Sequence, residues 1–266
     1  MPDVSFAGRY VAATSPVHRL DPRVKLALTA VAMAAAIVAR TPAGLALVAA
    51  GTVAAYAAAR IPARTAASAV APLMVFVALT CVLNLFSDGG GAVLWQAGPL
   101  RITEGGLAAA AVSSVRLTCL LFVVALLTFT TTSLDITAAL EWAFTPLARL
   151  GFPAHELGMV MGIALRFVPQ FATELAQIRR AQASRGARFA SNPFAGGLSD
   201  LSALVVPLFA SVFRHAQALA EAMEARCYRG GGGRTRLHPF GFRRADAVAC
   251  AAVGAFFALV VAVTLI

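Results

Sequence analysis

The sequence predicts an all-α polytopic membrane protein with about five transmembrane helices and a coupling module of about three more. Three observations carry that prediction. Of 266 residues, 59% are hydrophobic and 13% charged, with a mean hydropathy of +0.79, a mix far too apolar for an ordinary soluble domain. Apolar runs of spanning length recur between short polar breaks. Lys and Arg number 22 against 12 Asp and Glu, a net charge of +10, and in the short segments the basic residues gather on one side of the runs.

The elements follow in order. Asp21-Pro22 offers an N-cap and a proline at the first helical position, so a first span is expected near 24–39. Arg40-Thr41-Pro42 closes it. Spans near 43–59 and 66–86 are separated by Arg60, Pro62 and Arg64, which break the helix and anchor its ends at headgroups. A loop containing Gly and Trp, Ser87 to Gly105, leads to a span near 106–130, and a last span occupies 245–266. The domains expected are therefore an N-terminal membrane part, 1–130, a cytoplasmic module, 131–244, and a C-terminal transmembrane helix, 245–266.

Arg9, Arg19, Arg23, Lys25, Arg60 and Arg64 lie on one side of these spans, and Arg40 and Arg101 on the other. The positive-inside rule then puts the N-terminus in the cytoplasm. No short apolar core with a small-residue cleavage site precedes the first run, so no removable signal peptide is expected. Arg116 is the one intramembrane charge, ten residues into the fourth span and about 15 Å deep by helical rise. Donation to backbone carbonyls or to Ser113 and Ser114 accounts for it more simply than a catalytic role.

Between Thr131 and Arg244 three helices are legible. The first starts at Ser133 or Asp135, carries Ile136, Leu140, Phe144 and Leu147 on one face, and stops before Gly151-Phe152-Pro153. The second runs from Pro153 toward Arg185-Gly186 and the third from about Gly197 to Arg226, with kinks expected at Pro169 and Pro207. A glycine run, Gly230 to Gly233, reads as a flexible loop. An alternative places Leu157–Phe171 and Leu201–Phe213 in the membrane for seven spans; both are short, and the first holds Arg166 and Pro169.

The second and third helices repeat each other. Val168-Pro169-Gln170-Phe171-Ala172 matches Val206-Pro207-Leu208-Phe209-Ala210 at an offset of 38, and proline precedes the terminal arginine by 16 and 19 residues. A cation at a helix C-terminus is ordinarily dipole complementarity, but that does not explain the match of the preceding residues.

Much chemistry is excluded. A P-loop needs a Gly-Lys pair, and the only lysine, Lys25, follows Val24. His18, His155, His215 and His238 lack ligand spacing and read as surface or interface residues, and Cys81, Cys119, Cys227 and Cys250 are scattered, so no metal site is expected. No nucleophile elbow or Cys/His pair stands out. The spans lack acidic residues for proton coupling; Asp88, Glu104 and Asp246 sit at their ends.

Ser15-Pro16-Val17-His18-Arg19-Leu20-Asp21-Pro22-Arg23-Val24-Lys25, Thr130-Thr131-Thr132-Ser133, Arg166-Phe167-Val168-Pro169, Ala181-Gln182-Ala183-Ser184-Arg185-Gly186 and Glu221-Ala222-Met223-Glu224-Ala225-Arg226-Cys227-Tyr228-Arg229-Gly230 stand in order. This set resembles the transmembrane T component of energy-coupling factor (ECF) transporters, the EcfT/CbiQ-like family, over about residues 15–240. The resemblance implies that Ser184-Arg185-Gly186 and Ala225-Arg226-Cys227 dock in grooves of two ATP-binding-cassette subunits. Serine replaces the family's alanine at 184, and cysteine its glycine at 227.

It further implies a heterotetramer with a membrane-embedded, substrate-binding S component. This chain would bind no cofactor; ATP and Mg would reside on the partner ATPases. It would be no enzyme but the coupling subunit of a vitamin or micronutrient importer, with a dedicated cobalt, nickel or biotin version as the alternative. Phe144, Phe167, Phe171, Phe209 and Phe213 would pack on one another or face the S component. Rivals from other classes are a lipid-acting membrane enzyme and an arginine-rich anchor on anionic lipid. No nucleic-acid partner is expected.

Overall fold

A computed structural model describes residues 10–11, 13–87, 90–97, 100–146, 151–187, 198–230 and 241–265. Arg9, Asp88, Leu147, Gly197, His238 and residues 231–233 lie outside this set. The chain divides into two compact units, one of residues 8–139 with 238–266 and the other of residues 140–237.

In the first unit, α1 (Pro22–Val38) starts where Asp21 accepts from the Arg23 amide, with proline at the first position. α2 (Pro42–Ala59) is capped by Thr41 accepting from the Gly44 amide, and ends at Arg60, whose φ is 55°. α3 (Ala63–Val70) passes through a 3₁₀ turn, Ala71–Leu73, into α4 (Met74–Leu85). Pro72 causes this interruption of the expected third span, because it cannot donate to the helical ladder.

Residues 87–105 are not simply a loop. β1 (Val93–Ala97) pairs antiparallel with β2 (Leu100–Thr103), with Trp95 opposite Ile102. Apolar and β-branched residues on both sides of a two-residue connection favour such a hairpin. α5 (Glu104–Thr130) follows, N-capped by Thr103 accepting from the Gly106 amide. A Cβ on Gly106 would stand 2.9 Å from the carbonyls of Leu85 and Ser87, so only glycine admits this close approach.

α9 (Arg244–Leu265) closes the bundle, packing on α1 and α2 while α5 packs on α1, α2, α3 and α4. Its core is built of small side chains: Ala35, Ala36, Ala39, Leu45, Val48, Cys119 and Val260. Small residues let backbones approach where lipid supplies no hydrophobic drive for helices to associate. α6 (Ser133–Phe144) starts with Asp135 in its first turn.

The second unit consists chiefly of α7 (Ala154–Ser184) and α8 (Leu198–Ala225), which pack together. Both continue as single helices through Pro169 and Pro207.

Five helical stretches among the described residues are long and apolar enough to cross a membrane: Pro42–Ala59, Ala63–Leu85, Glu104–Thr130, Ser202–Ala225 and Arg244–Leu265. Four of them match the spans expected near 43–59, 66–86, 106–130 and 245–266, and one does not. α1, at 17 residues, falls just short of this set though within spanning reach, and α8 enters it because Ser202–Ala225 holds only Arg214, Glu221 and Glu224, all in its second half. The chain is a multi-pass membrane protein, and among the described residues it is all-α apart from the small hairpin.

Candidate functional site

α7 and α8 run antiparallel along a polar seam. Glu174 accepts from the buried Ser211 hydroxyl, and its other carboxylate oxygen lies 3.6 Å from His215 Nε2. The Gln170 amide nitrogen is 3.1 Å from the same Nε2. Phe167 and Phe171 stack with ring centroids 5.5 Å apart, and His215 stacks on both. Further along, the Tyr228 hydroxyl donates to Met159 Sδ at 2.9 Å. Residues 159 to 174 thus meet 228 back to 211.

At the end of α7 the chain turns through Arg185, followed by Gly186 at φ +89°. The Gly186 amide donates to Ala183 O and the Ala187 amide to Gln182 O, both at 3.0 Å. These are the two bonds of a Schellman motif, which satisfies carbonyls that a helix end leaves unpaired. α8 ends in the same way: the Cys227 amide donates to Glu224 O at 2.9 Å and the Tyr228 amide to Met223 O at 3.0 Å, with Cys227 at φ +55°. Cysteine therefore takes the left-handed position held by glycine at the other tip, at a cost of about 1 kcal/mol in backbone conformation.

Arg185 and Arg226 are the corresponding cap residues, and both are exposed. Because the helices are antiparallel, the two guanidiniums stand at opposite ends of the pair. Arg226 lies near Met159, and 26 residues of helix separate Met159 from Arg185, roughly 39 Å at 1.5 Å per residue. Beside the second tip a groove of about 470 Å³ is walled by Met159, Ile163, Leu219 and Met223 and rimmed by Arg226 and Arg229.

The five phenylalanines do not form one surface. Phe144 packs on Phe152 with centroids 5.6 Å apart, and Phe167 and Phe171 sit in the seam. Phe209 and Phe213 are 57% and 64% exposed on α8.

In the first unit, Arg116 Nη2 donates to Ala39 O at 2.8 Å, satisfying a carbonyl at the C-terminus of α1. Sequence reasoning missed a second polar cluster there. Lys25, which is buried, donates to His18 O at 2.9 Å and Thr130 O at 2.8 Å. His18 Nε2 lies 3.0 Å from Val11 O, and its Nδ1 lies 2.7 Å from Ser15 Oγ. Asp246, 1% exposed, accepts from the amides of Asp21 at 2.9 Å and Arg243 at 2.7 Å. The motif from Ser15 to Lys25 thus ties the start of α1 to the end of α5 and the start of α9. His18, expected as a surface or interface residue, is half-buried and part of this knot. The signal available was a lone lysine and a histidine beside an Asp-Pro cap, with no local pattern pointing to Asp246.

A small-residue helical bundle, joined in one chain to an antiparallel helix pair whose two ends present arginines, defines a multi-pass membrane component. The chain belongs to the family described as cobalt transport protein, CbiQ, which matches residues 13–238, and is a transmembrane T component of the ECF transporter type. Relatives named energy-coupling factor transporter transmembrane protein EcfT are similar over most of its length. The one from Acidaminococcus fermentans is 39% identical over 252 residues, covering 95% of this chain and 94% of its own. That from Heliobacterium modesticaldum is 40% identical over 253 residues, 95% of each chain. That from Bacillus subtilis is 37% identical over 236 residues, 89% of each.

Proposed function

We propose that this chain is the coupling subunit of an ATP-driven importer of vitamins or related micronutrients, joining two cytoplasmic ATP-binding-cassette subunits to a membrane-embedded substrate-binding component. The observation that carries this reading is the pair of matching Schellman ends, each presenting an exposed arginine, at opposite ends of one antiparallel helix pair. A planar guanidinium on a rigid helix end makes directional charge-assisted bonds to carboxylates and carbonyls. Two such ends, roughly 39 Å apart by helical rise, suit two partner subunits. ATP and Mg belong to those partners, and this chain performs no catalysis. The N-terminus and both arginine ends face the cytoplasm of a prokaryotic cell.

The test is co-purification of tagged, detergent-solubilised protein with its partners. Arg185→Glu and Arg226→Glu should each weaken ATPase recovery, and the double variant should abolish recovery and uptake while eluting as a folded protein. Undiminished ATPase recovery by a folded double variant overturns the coupling role. A small membrane protein recovered with the wild type identifies the substrate, and whether one or several appear separates a dedicated transporter from a shared module.

A further inference from the structure

The first unit holds a second cationic site, unrelated to the two helix ends. Fourteen residues separate Lys25 from Ala39 on α1, and fourteen separate Thr130 from Arg116 on α5. Lys25 and Thr130 are in contact, and so are Ala39 and Arg116, so the two helices rise side by side by about 21 Å between the contacts. Arg116 therefore lies at the turn between α1 and α2, level with Arg40. Its depth, counted along α5 alone, is misleading, because α1 ends and α2 begins beside it. Thr264 near the end of α9 also lies there, since a Cβ on Gly44 would stand 3.1 Å from its hydroxyl.

This turn carries two positive charges and no carboxylate among the described residues. Asp21, Asp135 and Asp246 belong to the opposite end of α1. Glu104 is twelve residues from Arg116 on α5, about 18 Å away. Arg116 spends Nη2 on Ala39 O, while its Nε is buried and has no hydrogen-bond partner. Arg40 is exposed. A guanidinium at the edge of a bilayer needs a counter-charge, and among the described residues Arg116 receives only a carbonyl dipole. Next to the two arginines, Ile37 is 60% exposed, Val38 38% and Val115 42%. An anion with an apolar tail matches that arrangement; a free anion leaves the apolar surface bare.

We infer that Arg40 and Arg116 hold the phosphate of an anionic phospholipid at the α1–α2 turn, with its acyl chains along Ile37, Val38 and Val115. Native mass spectrometry of the delipidated full-length chain, titrated with dioleoylphosphatidylglycerol, tests it. Arg40→Gln should lower occupancy of the tightest site about fivefold, the effect of one basic residue near an anionic surface, whereas Arg40→Lys retains most of it. Arg116→Gln should lose it too, and if that variant does not fold, Arg40→Gln still decides. Arg64→Gln removes the same charge elsewhere in this unit and should leave binding unchanged. Wild-type occupancy in Arg40→Gln, an equal loss in Arg64→Gln, or displacement of the lipid by millimolar inorganic phosphate overturns the inference.

Discussion

Replacing Gly186 by alanine and Cys227 by glycine should shift the two arginine ends in opposite directions by similar amounts. Both positions are left-handed, at φ +89° and +55°, and both belong to the same pair of Schellman hydrogen bonds. For an L-residue that conformation costs roughly 1–2 kcal/mol. Reduced freedom of the unfolded chain offsets about 0.4–1 kcal/mol of this when glycine becomes alanine. A Cβ at Gly186 meets nothing within 4 Å, so packing adds nothing to the balance. The net expectation is a loss of about 0.5–1 kcal/mol for Gly186→Ala and a gain of that size for Cys227→Gly. Hydrogen exchange reads this at the Ala187 and Tyr228 amides, which bond to Gln182 O and Met223 O. Protection should fall up to about fivefold in the first variant and rise similarly in the second. Unchanged protection of both amides in both variants refutes the backbone argument and with it the equivalence of the two ends.

Two further outcomes follow from the contacts. Asp246→Ala removes the acceptor of two amide hydrogen bonds from a site that is 1% exposed; at about 1.5 kcal/mol per charge-assisted bond the loss is about 3 kcal/mol, read as a fall in Tm of about 6–12 °C in detergent. Phe209→Ser with Phe213→Ser acts on exposed rings and should leave stability within about 1 kcal/mol of wild type, two surface substitutions at about 0.5 each, while reducing recovery of the substrate-binding component; normal recovery removes α8 from that interface.

The helix pair was legible because its signals are local. The repeat around Pro169 and Pro207, and an arginine followed by glycine or cysteine at each helix end, lie within one or two turns of the residues they organise. The elements near 133–144, 154–184 and 198–225 followed from caps and periodicity. The knot was not legible, since Asp21 and Asp246 are 225 residues apart in sequence and meet only through the packing of α9 on α1. Arg116 was misplaced in depth for a related reason: position along one helix does not say where its neighbours end. The β-hairpin was missed because strands of five and four residues are too short to show a clear alternation.

The seam between α7 and α8 determines whether the pair can transmit a movement. Glu174 meets Ser211 and His215 at one level, with Gln170 one turn away on the same histidine. A slip of α8 by one turn, about 5.4 Å, would leave the buried Ser211 hydroxyl and the partly buried Glu174 carboxylate without each other, so the polar groups select a single register. Apolar packing alone tolerates such a slip at far lower cost. Glu174→Leu with Ser211→Ala replaces both partners by apolar groups, which is close to neutral for stability but removes the register. The double variant should keep its Tm and still recover the ATPases through Arg185 and Arg226, while ATP-driven uptake falls several-fold, because a displacement at one end no longer reaches the other. Full uptake by a variant that has lost the seam shows that register is set elsewhere along the pair.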